Sequence, residues 1–129
     1  VNDKNHIIGI GYNGFPIGCP DNELSWAKNN DEWLNNKYPY VVHSEMNAIM
    51  NVSTNIEPNS RMYVSLFPCN ECAKLIIQSY GIREVIYKDD KNLETDAGIA
   101  SRRLFDLAGI SYKKYDTLEP TYRNVVLEV

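Results

Sequence analysis

Two short stretches constrain this chain more than anything else in it: His43-Ser44-Glu45 and Pro68-Cys69-Asn70-Glu71-Cys72. Between them they offer one imidazole, two thiols at Cys-x-x-Cys spacing and a carboxylate two residues after the imidazole. One His and two Cys make three ligands for Zn²⁺ and leave the fourth tetrahedral position open, as in catalytic rather than structural sites. Pro68 is suited to opening a helix, and Cys69 and Cys72, at i and i+3, then share one face of its first turn. Residues at i and i+2 do not share a helix face, so His43 and Glu45 can converge on one ion only where the chain enters a helix. The fold must therefore bring two helix starts together. Helix N-termini favour negative charge and lower thiol pKa, which suits metal-bound thiolates. Glu45 is the natural proton carrier beside such a centre. Glu71, inside the second motif, reads as a solvent-facing first-turn residue.

The remaining elements follow from period and punctuation. His6 to Tyr12 is apolar and β-branched enough for a strand, broken by Asn13-Gly14. Residues 13–40 form a long connection with Pro16, Gly18, Pro20 and a short helical stretch around Trp26 to Trp33, for which Asp21 or Asn22 offers a cap. Both Trp residues read as packing groups. A helix is predicted from His43 to Val52, with Met46, Ile49 and Met50 on one side. Strands are predicted at Met62–Leu66, Glu84–Tyr87, Ile110–Tyr115 and Asn124–Val129. A second helix runs from Pro68 to Tyr80, closed by Gly81, and a third from Thr95 to Ala108, stopped by Gly109. Alternating strands and helices predict an α/β layered domain with a mixed sheet.

Composition narrows the function classes. With 129 residues, 43% hydrophobic and 23% charged, one domain is expected over 1–129. A net charge of −4 argues against a dedicated nucleic-acid binder but not against a small anionic substrate. Three cysteines, two of them in the metal motif, suit a reducing compartment such as the cytoplasm; Cys19 reads as a free loop thiol. No apolar run is long enough for a membrane span.

The H-x-E…P-C-x-x-C pattern is the signature of zinc nucleobase deaminases. The chain resembles the cytidine/deoxycytidylate deaminase family. The resemblance is carried by Gly11-Tyr12-Asn13-Gly14, Pro16, Gly18, Tyr40-Val41, His43, Glu45-Met46-Asn47-Ala48-Ile49 and Phe67-Pro68-Cys69-Asn70-Glu71-Cys72-Ala73-Lys74. It runs over most of the chain and is weakest from 19 to 37 and after 111. One departure stands inside the first motif, where relatives often carry a small apolar residue and this chain has Ser44.

The resemblance implies a three-layer α/β/α domain, a mixed five-stranded sheet with helices on both faces. It also implies that a helix and most of a first strand lie upstream of residue 1. It implies Zn²⁺ on His43, Cys69 and Cys72, with Glu45 shuttling protons during hydrolytic conversion of dCMP to dUMP and ammonia. Asn13 would contact the sugar, and its plainer role is a turn residue before Gly14. The backbone at Ser65 would line the pocket beside the exocyclic amine, and Lys91 would contribute to phosphate binding or be a solvated charge. A homohexamer responding to dCTP and dTTP is the expected assembly. Deamination of cytidine or of a tRNA adenosine, and a non-catalytic zinc domain, remain open at this level. The negative charge disfavours the tRNA reading, and the presence of Glu45 disfavours the non-catalytic one.

Overall fold

The computed structural model describes residues 1–117, so the strand expected at Asn124–Val129 lies outside the described residues. Three parallel strands form the described sheet in the order β1-β2-β3: β1 is Ser60–Leu66, β2 is Ile82–Asp89 and β3 is Ser111–Lys114. Parallel neighbours need crossovers, and helices provide them. Helix α2 (Asn70–Gln78) joins β1 to β2, and α3 (Asp96–Ala108) joins β2 to β3. Helix α1 (Ser44–Met50) precedes the sheet. Val85, Ile86 and Tyr87 are buried in succession, as a central strand covered on both faces demands. The three predicted helices are thus present, and the described sheet is parallel.

The core explains the helix faces. Cys72, Ala73 and Ile76 are the buried side of α2, and Phe105 is wholly buried on α3. Phe67, 3% exposed and next in sequence to the second motif, meets three rings edge-on: Tyr87 at 5.0 Å, Tyr112 at 5.4 Å and Phe105 at 6.0 Å between centroids. Each such pair adds roughly 0.5–1.5 kcal/mol beyond burial. The chain therefore leaves β1 through an immobilised residue immediately before Pro68-Cys69. Helix α3 starts where the Thr95 hydroxyl accepts the Gly98 N–H and stops at Gly109, whose φ of 74° is left-handed, as the sequence predicts. Helix α2 ends differently from expectation. Tyr80 takes the left-handed conformation, while Gly81 lies where a Cβ would fall 2.4 Å from the Ile56 carbonyl oxygen. Close approach, not helix closure, is what requires glycine there.

The segment from His6 to Tyr12 is not a laddered strand in the described residues. Val1 and Arg61 exchange backbone hydrogen bonds at 2.8 and 2.9 Å, and a turn held by the Asn2 side chain follows. The segment then lies along α1. The Asn47 amide donates to the Tyr12 carbonyl at 2.7 Å and the Asn51 amide to the Ile10 carbonyl at 2.8 Å. Side-chain amides one helical turn apart thus replace the backbone partner that a ladder would supply. The contact is close because alternate residues are glycine: a Cβ on Gly11 would stand 2.3 Å from the Ser44 carbonyl oxygen, and one on Gly9 2.5 Å from that of Ala48. A single antiparallel bridge, Gly14 to Val42, closes this arrangement.

The connection 13–40 contains one 3-10 turn, Trp33–Asn35, with no side-chain cap. Asp21 and Asn22 therefore do not cap it. Its anchor is Asn36, 5% exposed, whose amide oxygen accepts the Asn30 N–H and whose amide nitrogen donates to the Asn30 and Glu32 carbonyls. Trp26 packs on Phe15 with centroids 4.4 Å apart, whereas Trp33 is 64% exposed. Among the described residues no helix is long and apolar enough to cross a membrane.

Candidate metal centre

The two motifs meet at the ends of the parallel strands, where α/β folds commonly place their sites. His43 is the N-cap of α1, with φ −67° and ψ 149°; Cys69 is the N-cap of α2, with φ −71° and ψ 171°. Neither cap position is used by its side chain for capping, so imidazole and thiol are both free to turn toward the common centre. Cys72 lies one turn into α2 and is 2% exposed. Glu45 is in the first turn of α1.

His43 Nδ1 is 3.6 Å from Cys69 Sγ and 3.4 Å from Cys72 Sγ, and the three ligand atoms all lie within 4.8 Å of one another. A tetrahedral ion bonded at about 2.0–2.1 Å to nitrogen and about 2.3 Å to sulfur sets N···S separations of roughly 3.5–3.6 Å. The donor set and its spacing thus fit Zn²⁺ with three protein ligands. No other group of three or more His, Cys, Asp or Glu side chains in the described residues is arranged to hold a metal.

The protons of the triad are shared. Cys69 is held well below the usual thiol range, first by the hydrogen bond from the Cys72 thiol and next by His43, against the opposing effect of burial. Cys72 is pushed up, first by its thiol neighbour Cys69, then by burial and by the negative charge of Glu45. His43 is raised chiefly by its bond to Cys69. Zinc binds thiolates and a neutral imidazole, so a metal binding here displaces protons. Glu45 acts electrostatically on both His43 and Cys72, which places its negative charge near the triad.

Asn13 and Ser65 border a cleft of about 430 Å³ together with Ser44 and Glu45. Its other lining comes from residues 7–12, from β1, and from Ala48, Ile49 and Val52 in and just after α1, and the triad stands outside that lining. The Asn13 side chain accepts the Ser44 N–H at 2.8 Å. Lys91 is exposed in the turn after β2, its N–H on Asp89 Oδ1 at 2.8 Å; Asp89 pairs with Leu66, so this turn leaves the sheet at the same end as the triad. Lys91 does not border the cleft. Cys19 is an exposed free thiol. Sequence reasoning missed the clamp of Gly9, Gly11, Asn47 and Asn51 that seats α1 and hence His43. Its signal was the alternate glycines in an apolar run, which mark close backbone approach.

The profile of the cytidine and deoxycytidylate deaminase zinc-binding region matches residues 1–89. The chain is similar to the deoxycytidylate deaminase of Pongo abelii, 53% identical over 115 residues, covering 89% of this chain and 64% of that protein. The human deoxycytidylate deaminase is 52% identical over 115 residues, with the same coverage. That of Mus musculus is 49% identical over 128 residues, covering 99% of this chain and 70% of the relative. The chain thus spans 64% of the length of the first two relatives. A profile covering both motifs and the first two strands of the sheet, on a His-Cys-Cys geometry that suits zinc, leads to one conclusion: this chain belongs to the cytidine and deoxycytidylate deaminase family.

Proposed function

We propose that the protein is a zinc-dependent hydrolase that converts dCMP to dUMP and ammonia. The observation that carries the reading is Glu45 on the first turn of α1, two residues after His43 of a three-ligand His-Cys-Cys centre, with its carboxylate on the cleft beside it. A structural zinc site needs no carboxylate beside it. Relatives named deoxycytidylate deaminase narrow the substrate class.

Zinc held by His43, Cys69 and Cys72 would supply a water activated for attack at C4 of the cytosine ring. Glu45 accepts the proton released from that water and delivers it to ring N3. The same carboxylate then takes the proton of the hydroxyl newly bonded to C4 and passes it to the exocyclic nitrogen, so that the C4–N bond breaks, ammonia leaves and C4 becomes the carbonyl of the product. The starts of α1 and α2 face the centre and favour the negative charge that develops there. Asn13 holds the ribose, the backbone at Ser65 borders the base, and Lys91 assists the phosphate. The fold this reading carries is a mixed five-stranded sheet with helices on both faces. The chain works in the cytoplasm as a homohexamer, with dCTP and dTTP as effectors; Trp33 and Tyr38, 64% and 53% exposed, suit burial between subunits.

The test is ammonia release from dCMP, deoxycytidine, CMP and cytidine, alongside Glu45→Gln. The expected result is preference for dCMP, and a kcat lowered at least about 10²-fold in the variant with zinc retained. Equal turnover of deoxycytidine would overturn the nucleotide assignment, and near-normal turnover by Glu45→Gln would remove the proton shuttle. Light scattering with and without each triphosphate tests the assembly; a monomer indifferent to both refutes it.

A further inference from the structure

Ser44 is the middle residue of the first motif, and its side chain is engaged. Ser44 Oγ donates to Glu45 Oε1 at 2.7 Å. The backbone beneath it is fixed as well, because the Ser44 N–H is bound to Asn13 Oδ1 at 2.8 Å. We propose that Ser44 is a positioning residue: its hydroxyl holds one carboxylate oxygen of Glu45 so that the other alone is presented to the reacting atoms. This rests on the deaminase reading above.

A carboxylate has two equivalent oxygens and a soft terminal torsion, so it can present either one and samples many orientations. A serine hydroxyl has one proton to donate, and a bond from it to an ionised carboxylate is short and about twice as strong as a neutral one. With Oε1 engaged, the torsion of Glu45 narrows and Oε2 remains for proton transfer. Such a gain in orientation acts on the chemical step, not on substrate binding. The structural alternative, that Ser44 serves only the helix, predicts the opposite ranking of variants. Alanine is the better helix former and leaves the backbone N–H available to Asn13.

The experiment compares the zinc-loaded full-length protein with Ser44→Ala and Ser44→Thr, using dCMP. Ser44→Ala is expected to lower kcat about 5- to 10-fold with KM within about twofold. Ser44→Thr, which keeps the hydroxyl, is expected to recover kcat to within about twofold of the parent. In the Glu45→Gln background, Ser44→Ala should leave the residual rate unchanged, since the carboxylate it orients is gone. A second readout is independent of turnover: in metal-free protein the melting shifts of Ser44→Ala and Glu45→Gln should fail to add. An unchanged kcat in Ser44→Ala, a loss confined to KM, or a loss that persists beside Glu45→Gln overturns the proposal. A parent protein without turnover on any cytosine substrate overturns the deaminase reading and the catalytic part of this one. Additive melting shifts would then also remove the Ser44–Glu45 bond.

Discussion

Asn13 Oδ1 accepts the backbone N–H of Ser44, joining residues 31 apart in sequence at the first turn of α1. Nothing on α1 itself caps that turn, because its N-cap residue is His43, whose side chain makes no capping bond. The cap is lent from another segment, which leaves the imidazole to the metal. Asn13→Ala is expected to cost about 1 kcal/mol, the usual value of a lost cap. Asn13→Asp keeps the accepting oxygen and adds charge favourable to a helix start, so its stability should match the parent. Urea unfolding monitored by circular dichroism checks both.

Gly11→Ala places a methyl group against the α1 backbone, 2.3 Å from both the Ala48 nitrogen and the Ser44 carbonyl oxygen. Backbone atoms cannot swing aside as a side chain does. The expected loss is about 1–3 kcal/mol, the range for overpacking. Zinc affinity should fall with it, since the helix that must move carries His43. Denaturation together with a zinc-chelator competition tests this; normal affinity in a destabilised variant would show that the helix tilts without moving its first turn.

Chelation should empty the centre without unfolding the chain. Phe67 is locked among Tyr87, Tyr112 and Phe105, and Cys72 shares its buried helix face with Ala73 and Ile76, so apolar packing already positions both thiols. The metal-free protein should keep its far-ultraviolet circular dichroism and melt cooperatively at a lower temperature. Small zinc domains behave otherwise and lose their structure with the ion. Cys72→Ser is expected to abolish zinc retention on dialysis, measured by metal analysis.

Ser101 is wholly buried on α3 and its hydroxyl lacks a hydrogen-bond partner among the described residues. An unpaired buried hydroxyl contributes a desolvation cost without return. Ser101→Ala removes it, improves helix propensity and creates only a small void. Stability should be unchanged or higher by about 1 kcal/mol. A loss above that in thermal unfolding would point to a bridging water at the site.

The metal centre was legible because its constraint is local. Proline before Cys69, i and i+3 for the thiols, and i and i+2 for His43 and Glu45 each force a helix start, and both starts are present. The three helices were legible from their apolar period, and Gly109 from its place after Ala108. The segment from His6 to Tyr12 was misread as a strand because it is apolar and β-branched; its backbone carbonyls are met instead by the side-chain amides of Asn47 and Asn51, across the close approach that Gly9 and Gly11 permit. The left-handed residue after α2 was misplaced for a related reason. Gly81 is needed for tight packing, so Tyr80 bears the positive φ.

Splitting the centre between two helix starts has a consequence for synthesis. His43 and Cys69 are 26 residues apart, and between them runs β1, whose parallel partner β2 follows only after α2. At about 5–20 residues per second, a ribosome makes Cys69 some 1–5 s after His43. Even then the site is not closed, because parallel pairing waits for a helical crossover, and β3 waits for a second one. A nascent chain ending at Leu66 has an imidazole and no thiol; one ending at Gln78 has all three ligands but no β2 to seat them. The ion-binding corner thus cannot be complete before α2 has emerged, and its seat on a paired sheet waits for β2.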